Sequence, residues 1–193
     1  MIKRIIADLE VAYDHKPHRL DHVFGVRDIA LKFGRQFNCN LEWLEIAALL
    51  HDITKYESEE FHRTMIKQYY DDAEMILNEY NTNILHAFSA AVVARTKYGI
   101  TNEEILNAIT HHTIGRPGMS IYEEILFLSD YIEPNRTYES CVRVRKIADH
   151  AFVKAIYVAM QDSINHHEKQ QALVPNTAYQ ALQYYQHKLE EQE

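Results

Sequence analysis

The chain has 193 residues, of which 47% are hydrophobic and 25% are charged, and its formal net charge is -8 with histidines counted as neutral. This length is typical of one domain with a sizeable core. An acidic chain is a poor candidate for non-specific nucleic-acid binding, which relies on lysine and arginine.

The N-terminal stretch MIKRIIADLEVAYDHK lacks a signal-peptide pattern, and no apolar run approaches the roughly 18 residues of a membrane span. The two cysteines, Cys39 and Cys141, lie far apart and in no metal-like spacing, which fits a reducing compartment better than a disulfide framework. We therefore predict a cytoplasmic protein with neither a nucleic-acid nor a membrane partner.

Helical periodicity runs through nearly the whole chain, whereas strict alternation is hard to find. Capping-box patterns at Thr101–Glu104 and Ser120–Glu123 mark two helix starts, and Gly99 ends the helix before the first of them. The pattern predicts an all-α fold, a single compact helical globule. Its helices are predicted at about 2–14, 18–37, 41–52, 58–70, 72–80, 83–98, 102–112, 120–132, 138–147, 149–167 and 177–190.

Five of these helices carry an ionisable residue at or near one end of an apolar stripe, and so point it toward the interior. A single histidine on an apolar face is more often a hydrogen-bonded core residue. Burying several ionisable groups, however, costs several kcal/mol unless they are paired or bind a metal. The set therefore predicts a metal site with the candidate ligands His22, His51, His86, His112 and Asp130.

Two neighbouring histidines compete for one of these positions. His111 shares a face with Glu104 and Asn107, whereas His112 follows the more apolar face of Ile105 and Ala108. We assign the ligand to His112.

The pair His51-Asp52 ends an apolar helix, and adjacent residues on a helix point about 100° apart. Both can reach one site only if that site lies between them at the helix end. One oxygen of Asp52 would then bind the ion held by His51 and the other a second ion. This bridge predicts two ligand groups, with His22 and Asp130 on one side and His86 and His112 on the other. Nitrogen and oxygen ligands without thiolate suit Fe, Mn, Zn, Co or Ni without choosing among them.

Four cations flank these ligand segments: Arg19, Lys55, Arg116 and Arg136. An isolated arginine here would more often be a solvated surface residue. Four together indicate an anionic substrate, and the arginine fork matches phosphate oxygens in a bidentate manner.

The stretches RLDHVFGV, LLHDITK, HAFSAAVVA, AITHHTIGRPGMS and FLSDYIEPNR resemble the HD-domain metal-dependent phosphohydrolases, and more closely the YqeK-type HD proteins of bacteria. The resemblance implies symmetrical cleavage of diadenosine tetraphosphate to two ADP at a two-metal centre, usually iron. Carried onto this chain, it implies the ligands His22, His51, Asp52, His86, His112 and Asp130. We expect residues 1–193 to form a single HD domain, with a metal-site core at about 18–136 and C-terminal helices at about 138–190.

The mechanistic hypothesis is attack by a metal-activated water on a central phosphorus. Asp52 and Lys55 are the predicted catalytic residues, and either Lys55 or Glu133 assists proton transfer, a choice that the sequence leaves open. The predicted contacts with the nucleotide substrate are Arg19, Lys55, Arg116, Glu133 and Arg136.

Two alternatives stay open at this level. The first is an HD phosphohydrolase acting on another nucleotide, such as a deoxynucleoside triphosphate or a guanosine alarmone. The second is a non-catalytic nucleotide-binding HD protein, against which the intact ligand set argues. The sequence shows no clear dimer face and leaves the oligomeric state, homodimer included, undecided. It also leaves open whether one of the tyrosines stacks on a nucleobase.

Overall fold

The computed structural model describes residues 1–191, and within them eleven helices follow one another without a strand. The all-α prediction is confirmed, and every predicted helix is present with its ends within a few residues of the expected positions. The helices are Ile2–Ala12 (α1), Pro17–Gln36 (α2), Leu41–Leu50 (α3), Glu59–Tyr69 (α4), Ala73–Glu79 (α5), Thr82–Tyr98 (α6), Glu103–His111 (α7), Ile121–Ile132 (α8), Glu139–Ala148 (α9), Phe152–Lys169 (α10) and Asn176–Glu190 (α11).

Side-chain caps fix several helix starts. The predicted capping box at the start of α8 is confirmed, because Ser120 and Glu123 satisfy each other's backbone N–H groups. The predicted box from Thr101 to Glu104 is wrong by one residue. Asn102 is the N-cap of α7 instead, and its side chain accepts from the N–H of Glu104. Asparagine is at least as strong an N-cap as threonine, and it directly precedes the helix.

Helix α3 lies at the centre of the fold and contacts α1, α2, α6, α7 and α8. Its sequence, LEWLEIAALL, is apolar around most of its circumference, as expected of a helix surrounded by others. Helix α2 approaches it closely at Gly34, where an added Cβ would collide with Cδ1 of Leu44. The close approach is possible because Gly34 carries no side chain.

Two of the central helices end one residue before a candidate ligand. Helix α3 ends at Leu50 rather than at residue 52, and α7 ends at His111, so His51 and His112 are C-cap residues. Helix ends leave backbone carbonyls without intrahelical partners. Both histidines are therefore placed next to free hydrogen-bond acceptors.

The C-terminal helices pack against α8. The hydroxyl of the fully buried Tyr185 on α11 donates to Glu124 of α8 at 2.6 Å, and the ammonium group of Lys188 contacts the same carboxylate oxygen at 2.6 Å. Along residues 1–191, no helix has both the length and the apolar character needed to cross a membrane.

Candidate metal centre

Imidazole nitrogens and carboxylate oxygens converge where α2, α3, α6, α7 and α8 meet. The Nε2 atoms of His22 and His51 are 3.4 Å apart, and those of His86 and His112 are 3.3 Å apart. Two nitrogens that each lie about 2.1 Å from one ion are roughly 3.0–3.4 Å from each other at octahedral or tetrahedral angles. Each histidine pair therefore has the spacing of two ligands that share a cation.

Asp52 lies between the two histidine pairs and is only 3% exposed. Its Oδ2 lies 3.6 Å from Nε2 of His51 and 3.7 Å from Nε2 of His22. Its Oδ1 lies 3.0 Å from Nε2 of His86 and 3.7 Å from Nε2 of His112. The two oxygens of one carboxylate thus face different pairs, which is the arrangement that a bridging ligand requires.

Asp130 completes the first group, because its Oδ1 lies 3.1 Å from Nε2 of His22. Ligand atoms of His22, His51 and Asp130 all lie within 4.8 Å of one another, and so do those of His51, Asp52 and His112. A buried cluster of four imidazoles and two carboxylates fits a divalent metal centre. Its nitrogen and oxygen donors suit Fe, Mn, Zn, Co or Ni.

The far nitrogen of every histidine in the cluster is hydrogen-bonded, which fixes how the rings are oriented. Nδ1 of His51 donates to the carbonyl of Ala48 at 2.6 Å, and Nδ1 of His112 donates to Ile109 at 2.7 Å. His86 makes the equivalent bond to the carbonyl three residues before it, at 2.7 Å. These bonds place the proton on Nδ1 and leave Nε2 with a lone pair that faces the centre.

His22 is held differently, by a side chain. Its Nδ1 lies 3.2 Å from Oε1 of Glu133, a carboxylate that is 2% exposed. The other oxygen of Glu133 accepts from the backbone N–H of Asn135 at 2.7 Å. Gly25 makes room for this carboxylate, because an added Cβ would lie 2.7 Å from Oε2 of Glu133. The sequence placed Glu133 among the substrate contacts, whereas the structure places it behind His22.

Replacing Gly25 with alanine is expected to weaken metal binding by about 10- to 100-fold, the usual effect of losing the partner of a ligating histidine. The new methyl group displaces the Glu133 carboxylate and so frees the ring of His22. The measurement is competition with a chromophoric chelator. Glu133→Ala should cause a similar loss, and adding Gly25→Ala to it should cause little more. Fully additive losses would show that Gly25 does not act through Glu133.

Burial keeps two of the four imidazoles neutral. It lowers the pKa of His51 to about 3 and the pKa of His86 to about 4, since neither ring can hold a charge away from water. Burial also disfavours charge on His22, but its hydrogen bond to Asp130 and the charge of that carboxylate raise the pKa of His22 above its usual value. His51 and His86 are thus in the neutral form that binds metals.

The two carboxylates stay ionised despite their burial. Burial favours the protonated form of Asp52, but the imidazoles that surround it, His51 first, hold its pKa well below the usual range. Burial opposes charge on Asp130 as well, and the guanidinium group of Arg136 does most to hold its pKa well below the usual range. Both side chains are therefore anionic acceptors at neutral pH.

The stability of the metal-free protein is expected to fall as the pH is lowered from 6.5 to 5.5. In the unfolded chain His51 and His86 have a pKa near 6.5 and gain a proton in this window. In the folded chain their pKa values are about 3 and about 4, so both stay neutral. At these two positions the unfolded state binds more protons, so acid favours unfolding by about 2 kcal/mol over this unit. The raised pKa of His22 opposes part of this loss, because its folded form binds the extra proton more readily. Urea unfolding of chelator-treated protein at several pH values measures the effect.

The matched comparison for this pH dependence is between two variants. His86→Gln should reduce the slope, because one of the histidines with a lowered pKa is removed. Thr101→Ala, at an exposed position that carries no titratable group, should leave the slope unchanged. A stability independent of pH between 6.5 and 5.5 would contradict the depressed pKa values.

Three of the four predicted cations lie at the cluster. Arg19 donates to Oδ2 of Asp52 at 2.6 Å, and Arg136 donates to Oδ1 of Asp130 at 2.8 Å. The ammonium nitrogen of Lys55 lies 3.4 Å from Nε2 of His86. The structure thus places positive charge beside both candidate metal positions.

The fourth predicted cation, Arg116, has another partner. Its guanidinium group binds Glu123 in a bidentate manner, through Nε to Oε1 at 2.7 Å and through Nη2 to Oε2 at 2.9 Å. Glu123 is 1% exposed and also lies 2.9 Å from Nδ1 of His111. The structure does not bring Arg116 into contact with the cluster, and its role in substrate binding stays a prediction.

The sequence analysis did not identify Tyr13, whose side chain holds the backbone of the His51-Asp52 turn in place. Its buried hydroxyl donates to the backbone carbonyl of Asp52 at 2.8 Å. A signal for this contact was present, because Tyr13 continues the four-residue spacing of the buried Ile5 and Leu9 on α1.

The sequence analysis also did not identify a buried polar network that is hydrogen-bonded to the backbone carbonyl of His86. Thr54 donates to the carbonyl of His86 at 2.8 Å and lies 2.8 Å from Oγ of Ser89. Nδ1 of His62, which is 1% exposed, contacts the same Oγ at 2.8 Å. No periodic pattern joins these residues along the chain, so only the packing of α4 against α6 reveals the network.

A cavity of about 900 Å³ opens from the cluster toward the C-terminal helices. Lys55, Asp130 and Arg136 line it at the cluster, and Leu173, Pro175 and Ala178 line it where α10 leads into α11. Pockets that enclose small-molecule ligands have volumes of roughly 300–1,000 Å³. The cavity is large enough for a nucleotide beside the candidate metal centre.

Residues 19–135 match the family model described as HD domain. Among curated proteins, the chain is 34% identical to a protein of Halalkalibacterium halodurans over 83% of this chain and 85% of that protein. It is 32% identical to a protein of Bacillus subtilis over 83% of this chain and 86% of that protein. Both relatives are named bis(5'-nucleosyl)-tetraphosphatase, symmetrical.

A solved structure from Clostridium acetobutylicum has a similar fold. It is described as a predicted HD superfamily hydrolase involved in NAD metabolism. The TM-score is 0.86 at 28% identity, over 97% of this chain and 98% of the other. The likeness extends beyond the segment that the family model matches and includes α9–α11.

Proposed function

Since the chain belongs to the HD-domain family, we propose that it is a metal-dependent hydrolase that cleaves diadenosine tetraphosphate symmetrically into two ADP. The observation that carries the proposal is Asp52, whose two oxygens face two separate histidine pairs. The relatives named as symmetrical tetraphosphatases support the choice of substrate. A non-catalytic binding module would have no need of such a bridging carboxylate.

The proposed metal ligands are His22, His51, Asp52, His86, His112 and Asp130. Two bound divalent cations, for which we propose iron, would supply Lewis acidity that polarises phosphate oxygens and lowers the pKa of a water. The chain fixes the geometry of these ligands through the carbonyls behind three histidines and the Glu133 carboxylate behind the fourth.

The proposed substrate contacts are the cations that line the cavity at the cluster. Lys55 and Arg136 line the cavity beside the candidate ligand Asp130, where the phosphate chain would reach the metal centre. There they would stabilise negative charge that develops on the phosphates and on the departing ADP. Arg19, bound to Asp52, is proposed to hold that carboxylate in its bridging orientation. We assign Glu133 to positioning His22 and not to contact with the substrate.

We further propose that residues 1–193 act as one unit in the cytoplasm. A hydrophobic cluster runs from Ile5 on α1 to Tyr185 on α11, which supports a single domain. The cysteines Cys39 and Cys141 are free thiols, which fits a reducing compartment.

The test is incubation of the metal-loaded protein with diadenosine tetraphosphate, followed by chromatographic separation of the nucleotides. ADP as the sole product is expected. ATP and AMP in equal amounts would reject symmetrical cleavage. A parallel panel of deoxynucleoside triphosphates and guanosine tetraphosphate tests the alternative substrates, and a higher kcat/KM for any of these would replace the proposed substrate.

A further inference from the structure

Two of the most exposed apolar side chains in the described part of the chain line the same cavity. Tyr138 is 72% exposed and Leu173 is 65% exposed, and both belong to the wall of the cavity that opens from the metal cluster. Single exposed apolar residues are ordinary on protein surfaces. Two that line one cavity together with the cations Lys55 and Arg136 indicate a place for an apolar or aromatic part of a ligand.

The segment that carries Tyr138 is held firmly in place. Tyr138 is the N-cap residue of α9, two positions after Arg136. Arg145 of α9 donates to the carbonyls of Ile132 at 2.7 Å, Glu133 at 2.7 Å and Arg136 at 3.1 Å. One guanidinium group therefore ties the loop between α8 and α9 to the helix that follows. A backbone that is already ordered adds little entropy cost when a ligand binds beside it.

Leu173 belongs to the connection between α10 and α11, on another part of the same wall. This connection is tied back to α10 by the bond from the Ala172 N–H to the carbonyl of His167 at 3.0 Å. It reaches Pro175, the N-cap of α11, two residues later. The family model ends at residue 135, so both Tyr138 and Leu173 lie beyond the segment that it matches.

The two ends of the cavity differ. Lys55 and Arg136 lie at its cluster end beside Asp130, whereas Leu173, Val174 and Pro175 add apolar surface at the other end, next to the polar side chains of Lys169 and Gln170. A nucleotide has the same polarity, with phosphates at one end and a flat aromatic base at the other. A base offers its π-face to an aromatic side chain whatever its identity.

We propose that Tyr138 and Leu173 form the nucleoside seat of the substrate. The ring of Tyr138 stacks on the base, Leu173 covers apolar surface of the nucleoside, and the phosphates pass Arg136 to reach the metal centre. The seat rests on the proposed function, since it assumes a nucleotide substrate at this centre. It also selects one tyrosine, among the 13 of the chain, as the residue that contacts the base.

The experiment compares the binding of two ligands, ADP and inorganic pyrophosphate, to the metal-loaded protein by calorimetry. Tyr138→Ala is expected to weaken ADP binding about tenfold, in the range measured for loss of base stacking. Pyrophosphate has no base, so its affinity should change by less than about twofold. Tyr138→Phe keeps the ring and should bind ADP like the unmodified chain. Leu173→Ala should weaken ADP binding by about threefold.

The controls are Tyr69→Ala and Met75→Ala, which remove exposed apolar side chains, 46% and 60% exposed, that do not line this cavity. They should leave both affinities unchanged. Unchanged ADP affinity in Tyr138→Ala would overturn the seat, as would an equal loss of ADP and pyrophosphate binding.

The two proposals fail in different ways. A protein that converts diadenosine tetraphosphate to ADP with the same KM in Tyr138→Ala as in the unmodified chain would overturn the seat alone. A protein that binds ADP through Tyr138 but does not cleave diadenosine tetraphosphate would overturn the proposed function and leave the seat. A protein that binds pyrophosphate but not ADP would overturn the seat whatever it hydrolyses.

Discussion

Replacing Asp52 with asparagine is expected to lower the turnover of diadenosine tetraphosphate by about a thousandfold or more, the several kcal/mol that metal activation contributes. Asparagine has nearly the same shape but only one oxygen, and its NH2 group cannot bind a cation. The variant therefore keeps at most one side of the bridge between the His22–His51 pair and the His86–His112 pair. The measurements are kcat and the metal content per chain.

The control for this substitution is Asp149→Asn, which removes an exposed carboxylate paired with Lys32 at 2.7 Å. It should leave turnover unchanged, because surface ion pairs contribute little to the structure. Circular dichroism of both variants checks that they fold. Full turnover in a folded Asp52→Asn protein would remove the bridging carboxylate from the mechanism.

Removal of the metals by chelation is expected to abolish turnover and to lower the Tm by about 10 °C. Ions that bind only the folded state stabilise it by about 4 kcal/mol at a thousandfold excess over Kd, and 1 kcal/mol shifts the Tm of a chain this long by about 2–4 °C. The measurements are activity and thermal unfolding after dialysis against a chelator.

Reconstitution of the chelated protein then distinguishes the cations. Fe²⁺, Mn²⁺, Zn²⁺, Co²⁺ and Ni²⁺ are added back separately under anaerobic conditions, and we expect Fe²⁺ to restore the highest turnover. Recovery with another ion would reject the iron proposal while keeping the metal centre. Undiminished activity in protein shown to be metal-free would reject the centre itself.

The fold could be predicted closely because the 3.6-residue apolar period recurs along nearly the whole chain, and side-chain caps mark the starts of five of the eleven described helices. The convergence of His22, His51, His86, His112 and Asp130 followed from the same stripes, since each apolar face is directed inward. The apolar stripes do not determine how far apart two helices lie, however. The spacing of the Nε2 atoms and the position of Asp52 between them required the packed structure.

Polar partners were the hardest part of the site to predict. Arg116 and Arg136 look alike in sequence, each a few residues after a candidate ligand, yet one binds Glu123 and the other binds Asp130. Glu133 was expected to face the substrate and instead lies behind His22. Which polar group a side chain meets depends on contacts between distant segments, and helical periodicity carries no information about them.

The hydrogen bonds to the Nδ1 atoms of the four imidazoles differ in how easily a mutation can remove them. Three of the rings are anchored by main-chain carbonyls, those of Ala48, Asn83 and Ile109. No side-chain substitution deletes a carbonyl, so these three anchors can be lost only if the backbone moves. The fourth anchor, Glu133, is a side chain that a single codon change removes. In a saturation mutagenesis of the layer around the metal centre, we therefore expect intolerant positions to concentrate around His22, with Glu133 and Gly25 foremost among them.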